Sequence, residues 1–136
     1  MSVNLDVPIW EDESLVEVDE AFWVGLINLV AERNAAVIAK RPDLAKRVYA
    51  ERNGHRITRW ACDLKQTTLK GVEAVAKTQT GCCSDLAAFR AGECLAEGEE
   101  AEVGLEDRTG KGRPYHAIVL ISGKPEEPDV SEVFGM

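Results

Sequence analysis

The sequence lacks a long apolar run, a leader-like start and a surplus of basic residues, and each absence excludes a class of protein. No apolar run approaches the roughly 20 residues that a membrane-spanning helix needs. The first residues, Met1 to Asp6, have neither the basic nor the apolar region of a leader peptide. Lysine and arginine number 16 against 24 aspartates and glutamates, so a net charge of −8 disfavours nucleic acid as a partner. We therefore expect a soluble protein of a reducing cytoplasm, with no membrane partner.

The remaining composition is that of an ordinary globular domain. The chain has 136 residues, of which 45% are hydrophobic and 29% charged, too few for two substantial domains and too apolar for disorder. It contains no internal repeat and no low-complexity tract. Pro8 and the acidic residues around it predict an extended acidic arm over residues 1–17, followed by a single domain over residues 18–136.

Charge is unevenly distributed along the chain. The first 20 residues hold seven acids and no base. Residues 40–70, called the basic patch below, hold nine bases against three acids. Such runs are typical of solvated helix faces. The alternative is that the acidic arm docks on the basic patch of its own or a neighbouring subunit. The nine bases are Lys40, Arg41, Lys46, Arg47, Arg52, Arg56, Arg59, Lys65 and Lys70.

Hydrophobic spacing predicts helices in the first half of the chain. Asp19 can cap a helix that Pro42 breaks or restarts. A third helix is predicted from Thr67 or Thr68 to just before Gly81, with its apolar side facing inward. The apolar positions of the first predicted helix are Phe22, Leu26, Val30, Val37 and Ile38, and those of the third are Leu69, Val72, Val75 and Ala76.

The second half predicts one helix followed by strands. A helix is expected from about Cys83 to Glu97, because Gly98 is placed to end it. Beyond it the hydrophobic period changes to two, which predicts a strand near residues 101–105 and a stronger one over residues 115–121. A last extended segment is expected near residue 129. Helices followed by an antiparallel sheet indicate an α+β fold, with the central helix that carries Cys83 packed on that sheet.

The cysteines are the first candidates for chemistry. Cys62 and Cys94 have apolar helical surroundings and are expected to be small core residues. Cys82 and Cys83 stand at a helix entrance, where unpaired N–H groups and the helix dipole should lower the pKa of a thiol. Their spacing does not fit a metal site. A disulfide between the two would be strained and disfavoured in a reducing compartment.

A histidine and an aspartate follow in an order that suits nucleophilic catalysis. His116 begins the strongest predicted strand, and Asp129 lies past the turn that follows it. A helix packed on that sheet would point Cys83 at both side chains, which is the arrangement that covalent acyl transfer needs. The alternative interpretation is an exposed thiol and an ordinary histidine at a strand end.

Four segments resemble a known family. The run from Gly81 to Ala87, followed by Arg90-Ala91, is similar to the "GDCDDLA…RA" segment of small transglutaminase-like (papain-like) cysteine peptidase domains of phage and prophage gene clusters. Tyr115 to Val119 resembles their "yHavV" strand, and Asp129 to Met136 resembles their "DPSrvLGM" ending. With the stretch Arg41 to Tyr49, similar to "HPxxPxLY", the resemblance spans about residues 20–136.

The resemblance implies a role for each matching residue. Cys83 would be the nucleophile, His116 the general base and then acid, and Asp129 the group that orients the imidazole. The backbone N–H of Cys83 would give one oxyanion donor, and the candidates for a second are Gln79 and Trp60. The implied activity is that of a thiol-dependent acyl hydrolase or peptidase, acting on a protein or peptide without cofactor or metal.

Two other hypotheses stay open at this point. The chain could be a non-catalytic virion or assembly component that keeps the fold and binds other subunits through the acidic arm and the basic patch. Its location would then be the host cytoplasm or the virion. A metal-sensing or redox-sensing module built on Cys82 and Cys83 is the third hypothesis.

Overall fold

A computed structural model describes residues 4–6, 20–49, 51–52, 55–56, 59–60, 68–107, 115–127 and 130–134. They combine helices with small β-sheets, which confirms the predicted α+β class. The helices are α1 (Glu20–Lys40), α2 (Pro42–Tyr49), α3 (Val72–Thr78), α4 (Cys83–Ala96) and α5 (Val130–Val133). The strands are β1 (Asn4–Asp6), β2 (Glu51–Arg52), β3 (His55–Arg56), β4 (Arg59–Trp60), β5 (Thr68–Lys70), β6 (Thr80–Gly81), β7 (Ala101–Asp107), β8 (Tyr115–Ile121) and β9 (Lys124–Pro125).

The sheet beside α4 is antiparallel, in the order β7-β8-β9. Its β7–β8 register runs from Ala101 opposite Ile121 to Asp107 opposite Tyr115. The turn from β8 to β9 has positive φ at both central residues, 51° at Ser122 and 80° at Gly123, as the tight two-residue hairpin turn requires. The strands predicted near residues 101–105 and over 115–121 are thereby confirmed.

Three two-stranded sheets involve the remaining strands. β1 pairs antiparallel with β5, β2 pairs antiparallel with β3, and β4 pairs parallel with β6. The third helix was predicted to begin at Thr67 or Thr68, which is wrong because Thr68–Lys70 is extended and paired with β1. The helix instead begins after Gly71, which is its N-cap residue. The apolar residues Leu69, Val72, Val75 and Ala76 are all buried, as predicted.

Helices α1 and α4 form the centre of the core. Gly92 of α4 makes their close approach possible, because a Cβ there would lie 2.6 Å from Cβ of Asn34 and 2.8 Å from the carbonyl oxygen of Ala31. The buried apolar residues of α1 are Trp23, Ile27, Val30, Ala31 and Ile38. Phe22, predicted on the apolar side, is 54% exposed. Because α1 is apolar almost all round, its spacing does not define which face is buried.

Two asparagines of α1 bind backbone groups of neighbouring elements. The amide of Asn28 donates to the carbonyl oxygen of Val103 at 3.0 Å and accepts from its N–H at 2.8 Å. It thus occupies the edge of β7 that faces away from β8. Asn34 is fully buried, and its Oδ1 accepts from the N–H of Val72 at 2.9 Å. Helix α1 therefore holds both the sheet and α3 in place around α4.

One prediction about α1 is wrong. By length and composition, residues Ala21–Lys40 are long and apolar enough to cross a membrane, although the sequence was expected to contain no such segment. Core helices of soluble proteins pass the same test, and one face of this helix packs on α4. The finding therefore does not assign the helix to a membrane.

The last described segment packs against α2 and α4. The ring of Tyr49 stacks on that of Phe134 at 5.7 Å and meets the ring of Phe89 edge-on at 5.3 Å. Residues Val130–Val133 form a helix, whereas an extended segment was predicted near residue 129. Buried Val130 and Phe134 explain the difference, since the helix brings these two residues, four positions apart, onto one face.

Candidate active site

Cys83 is the first residue of α4, and Asp85 fixes the backbone that leads into this helix. One carboxylate oxygen of Asp85 accepts from the N–H of Cys82 at 3.0 Å, and the other from the N–H of Lys70 at 2.9 Å. An acidic side chain three residues into a helix commonly accepts from the N–H of the residue that caps it. Asp85 therefore has a structural role, joining β5 to the start of α4.

The sulfur of Cys83 lies against strand β8. The backbone N–H of Ala117 and both the backbone N–H and the hydroxyl of Ser84 lie near the sulfur and act to lower the pKa of its thiol. Three donors around one sulfur stabilise its anionic form. Cys83 is also packed into the core, with 8% of its surface exposed.

Burial nevertheless raises the pKa of the Cys83 thiol, and the negative charge of Asp85 adds to that effect. The donors on Ala117 and Ser84 act in the opposite direction and do not outweigh burial. The expectation that the helix start lowers this pKa is therefore wrong. The sequence indicates the helix entrance but not how deeply the sulfur is buried.

His116 precedes Ala117 on β8 and is buried, with 8% exposed. The register puts His116 opposite Glu106. Side chains alternate along a strand, so Ala117 and Val119 face the core and the Cβ of His116 is on the other face. The structure thus brings the Cys83 sulfur to the backbone of the residue next to His116, at the start of β8.

Asp129, the third predicted member of the site, lies outside the described residues. The adjoining residue, Val130, begins α5, which packs against α4. Its role as the group that orients His116 remains a prediction.

The two candidates for a second oxyanion donor reach the start of α4 by different routes, Gln79 along the chain and Trp60 by strand pairing. The side-chain amide of Gln79 donates to the carbonyl oxygen of Ala76 in the last turn of α3, so Gln79 serves to end that helix. Trp60 pairs through its backbone with Gly81, two residues before Cys83, and its side chain lies outside the described residues. The N–H of Cys83 belongs to the first turn of α4, where helix geometry supplies no intrahelical acceptor.

The cysteines differ in oxidation state. Cys82 is disulfide-bonded, and Cys83 and Cys94 are free thiols. A disulfide between Cys82 and Cys83 is thereby excluded. Cys94 is fully buried, which confirms it as a core residue, whereas Cys62 lies outside the described residues. The sequence reasoning discounted disulfides because it assumed a reducing compartment; the even number of cysteines, 4, was the available signal.

Sequence reasoning also missed Ser84 as a donor to the sulfur. Ser84 is buried, with 4% exposed, and its hydroxyl acts to lower the pKa of the neighbouring Cys83 thiol. A serine beside a cysteine at a helix start is the signal that could have indicated this contact.

Arg90 fixes the middle of α4 against the segment after β9. Its guanidinium pairs with Glu126 at 2.9 Å and with Glu93 at 2.8 Å, and Glu93 accepts from the hydroxyl of Tyr49 at 2.7 Å. Arg90 lies in the same helix as Cys83, seven residues further along the chain. Its partners hold α4, and with it Cys83, in a fixed position against β8.

The basic patch is described only in part. Lys40, Arg41, Lys46 and Arg47 are exposed, as expected of solvated helix faces, and Arg41 pairs with Asp43 at 3.3 Å. Docking of the acidic arm on this patch remains a prediction.

No group of three or more histidine, cysteine, aspartate or glutamate side chains suited to a metal ion occurs within the described part of the chain.

Comparison of the sequence with protein families, with curated proteins and with solved structures finds no match.

Proposed function

We propose that the chain is a thiol-dependent acyl hydrolase or peptidase on a transglutaminase-like (papain-like) core, of the type that phage and prophage gene clusters encode. Cys83 is its nucleophile, His116 its general base and acid, and Asp129 the residue that orients the imidazole. The substrate class is a protein or peptide.

The observation that carries the proposal is the proximity of the backbone N–H of Ala117 on β8 to the sulfur of Cys83 at the start of α4. It supports a nucleophile at the head of a helix that lies against the histidine-bearing strand β8, with the Cβ of His116 on the opposite face of that strand from Ala117. The two donors of Ser84 support the same assignment, since they stabilise the thiolate that must form during the reaction.

The reaction begins with transfer of the Cys83 thiol proton to His116. The sulfur then attacks the substrate carbonyl carbon, and the carbonyl oxygen takes the charge near the N–H of Cys83. His116 returns the proton to the leaving amine or alcohol as the carbon–heteroatom bond breaks, which gives a thioester. Water, deprotonated by His116, releases the acid and restores the thiol.

Because burial raises the pKa of the Cys83 thiol, activity at neutral pH depends on this proton transfer to His116. Alkylation of Cys83 by iodoacetamide, followed by peptide mapping, tests the dependence. We expect neutral-pH labelling to be at least ~10-fold slower in His116→Ala than in the wild type. Cys94, fully buried, is the internal control and should label slowly in both proteins.

A hydrolysis assay with an activated ester tests the chemistry itself. Cys83→Ala should abolish the initial burst of one acyl group per chain and its mass adduct, and Cys94→Ala should retain both. Equal slow labelling of Cys83 and Cys94, together with ester hydrolysis unaffected by Cys83→Ala, would contradict the proposal.

The second candidate is a virion or assembly subunit that retains the fold without catalysis. Burial of Cys83 and the raised pKa of its thiol favour it, because neither suits a freely reacting nucleophile. In that case His116→Ala leaves the labelling rate of Cys83 unchanged, and the protein purifies in assemblies with other subunits.

The compartment stays a proposal as well. The sequence favours the cytoplasm, whereas the disulfide at Cys82 favours an oxidising compartment, where such bonds persist. Trapping thiols with an alkylating mass tag in intact cells separates the two: a cytoplasmic protein would carry a tag on Cys82, and a protein of an oxidising compartment would not.

A further inference from the structure

Helix α1 has an exposed apolar face that runs along its whole length. Phe22 and Leu29 are 54% and 60% exposed, and a Cβ at Gly25 would have nothing within 4 Å. The exposed positions recur at alternating steps of three and four residues, the spacing at which one helix packs along another. They are Phe22, Gly25, Leu29, Glu32, Ala36 and Ala39, called the open face below.

We propose that the open face binds the open face of a second copy of this chain, with the two α1 helices antiparallel about a two-fold axis. The axis passes near the middle of the helix, between Leu29 and Glu32. This interface is independent of the chemistry proposed at Cys83, since it lies on the side of α1 that does not contact α4.

Size complementarity along the open face supports the antiparallel arrangement. Its large residue, Phe22, lies near the start of α1, and its small residues, Ala36 and Ala39, lie near the end. An antiparallel pair therefore sets Phe22 of each copy over Ala36 and Ala39 of the other, whereas a parallel pair would stack like on like. Gly25 leaves room beside each Phe22 for the partner helix to approach closely.

Charge complementarity points the same way. Helix α1 begins at Glu20, preceded by acidic residues in the sequence, and ends at the exposed base Lys40, followed by Arg41. Antiparallel pairing brings the acidic start of each helix to the basic end of its partner. It also aligns the two helix dipoles favourably.

Glu32 is the polar member of the open face, and the axis brings its two copies close together. Like charges near each other oppose association, so the proposal predicts a reversible dimer that Glu32 weakens. Replacing Glu32 by an apolar residue should therefore strengthen the same interface.

Sedimentation of the full chain over a concentration series tests the proposal. We expect a monomer–dimer equilibrium whose dissociation constant rises at least ~100-fold in Leu29→Glu and falls ~10-fold in Glu32→Leu. Ala96→Glu, a matched change at an exposed residue of α4, should leave the constant unchanged. Circular dichroism of each variant confirms that it is folded.

Cysteine cross-linking tests the orientation. An equimolar mixture of Phe22→Cys and Ala39→Cys should give a disulfide-linked heterodimer between the new cysteines, and Ala39→Cys alone should give none. Monomers at all concentrations in both wild type and Glu32→Leu would overturn the proposal. So would cross-linking of Ala39→Cys to itself, or binding of the wild type to phosphatidylcholine vesicles that Leu29→Glu abolishes without any self-association.

Discussion

Helices α1 and α4 are both rich in small apolar residues, yet the fold uses them differently. Every residue of α4 from Cys83 to Phe89 is buried, whereas α1 buries one face and exposes another of similar character. Each helix carries a glycine, and the two lie in opposite environments: Gly92 at a close approach of α4 to α1, Gly25 in open space. The composition of a helix therefore does not distinguish buried residues that support the candidate site from exposed residues that can bind a partner.

Leucines give the largest contrast between the two helices. Leu86→Ala removes a fully buried side chain of α4 and should lower the free energy of unfolding by about 2–5 kcal/mol. Leu29→Ala on the open face of α1 should change it by less than about 0.5 kcal/mol. Urea unfolding at a concentration low enough for a monomer measures both. Equal effects would show that the open face is covered within the single chain.

Replacing the glycine of each helix by alanine should give smaller changes in stability, and the two changes should have opposite signs. Gly92→Ala places a methyl group against Asn34 and Ala31 and should cost about 1–3 kcal/mol of stability. Gly25→Ala should gain about 0.5–1 kcal/mol, because alanine loses less backbone entropy in a helix. Thermal unfolding of the two variants against the wild type checks the signs, and destabilisation by Gly25→Ala would contradict the exposed position of that residue.

Cys94 adds an alkaline pH dependence to α4. Burial raises the pKa of Cys94 to about 11, so the folded state holds its proton more tightly than the unfolded chain does. The stability that the protonated Cys94 thiol contributes is fully present below the unfolded pKa of about 8.5. It is lost as the pH rises through 11. Between these pH values the wild type should lose about 3 kcal/mol more stability than Cys94→Ala does. Parallel pH dependences for the two proteins would exclude Cys94 as the source.

The ion pair between Glu73 of α3 and Arg33 of α1 should give the smallest change in stability, and this change should appear at acidic pH. The hydrogen bonds from Arg33, at 2.7 and 2.9 Å, lower the pKa of Glu73. The stabilisation is present above the unfolded pKa and is lost as the pH falls through the folded one. Glu73→Gln should therefore cost about 0.5–1 kcal/mol at pH 7 and nothing near pH 2. Glu102→Gln, at an exposed position of β7, is the control and should have no effect at either pH.

Local signals predicted most of the fold. Gly98 lies two residues after Ala96, the last residue of α4, and the change of hydrophobic period located β7 and β8. The prediction failed where a distant segment decides the local structure. Thr68 is extended because β1 pairs with it, and Phe22 points outward because α4 covers the opposite side of α1. Neither partner can be read from the residues near these two positions.

The candidate site shows the same division. The helix entrance at Cys83 and the strand position of His116 follow from sequence patterns. The raised pKa of Cys83 and the disulfide at Cys82 depend on burial and on long-range proximity, which those patterns do not contain. Cys83 lies against β8 near the backbone N–H of Ala117. Almost every residue type has a backbone N–H, so the type of residue at position 117 does not predict this contact.

Strand β5 links the N-terminus to the start of α4. Leu69 pairs with Leu5, while the N–H of the next residue, Lys70, binds Asp85, whose second oxygen holds Cys82. A purification tag or truncation that disturbs residues 4–6 acts on the same short strand that anchors the peptide group preceding the nucleophile candidate. Recombinant versions of this protein should therefore carry their tags at the other terminus, or have them cleaved off, before any thiol reactivity is compared.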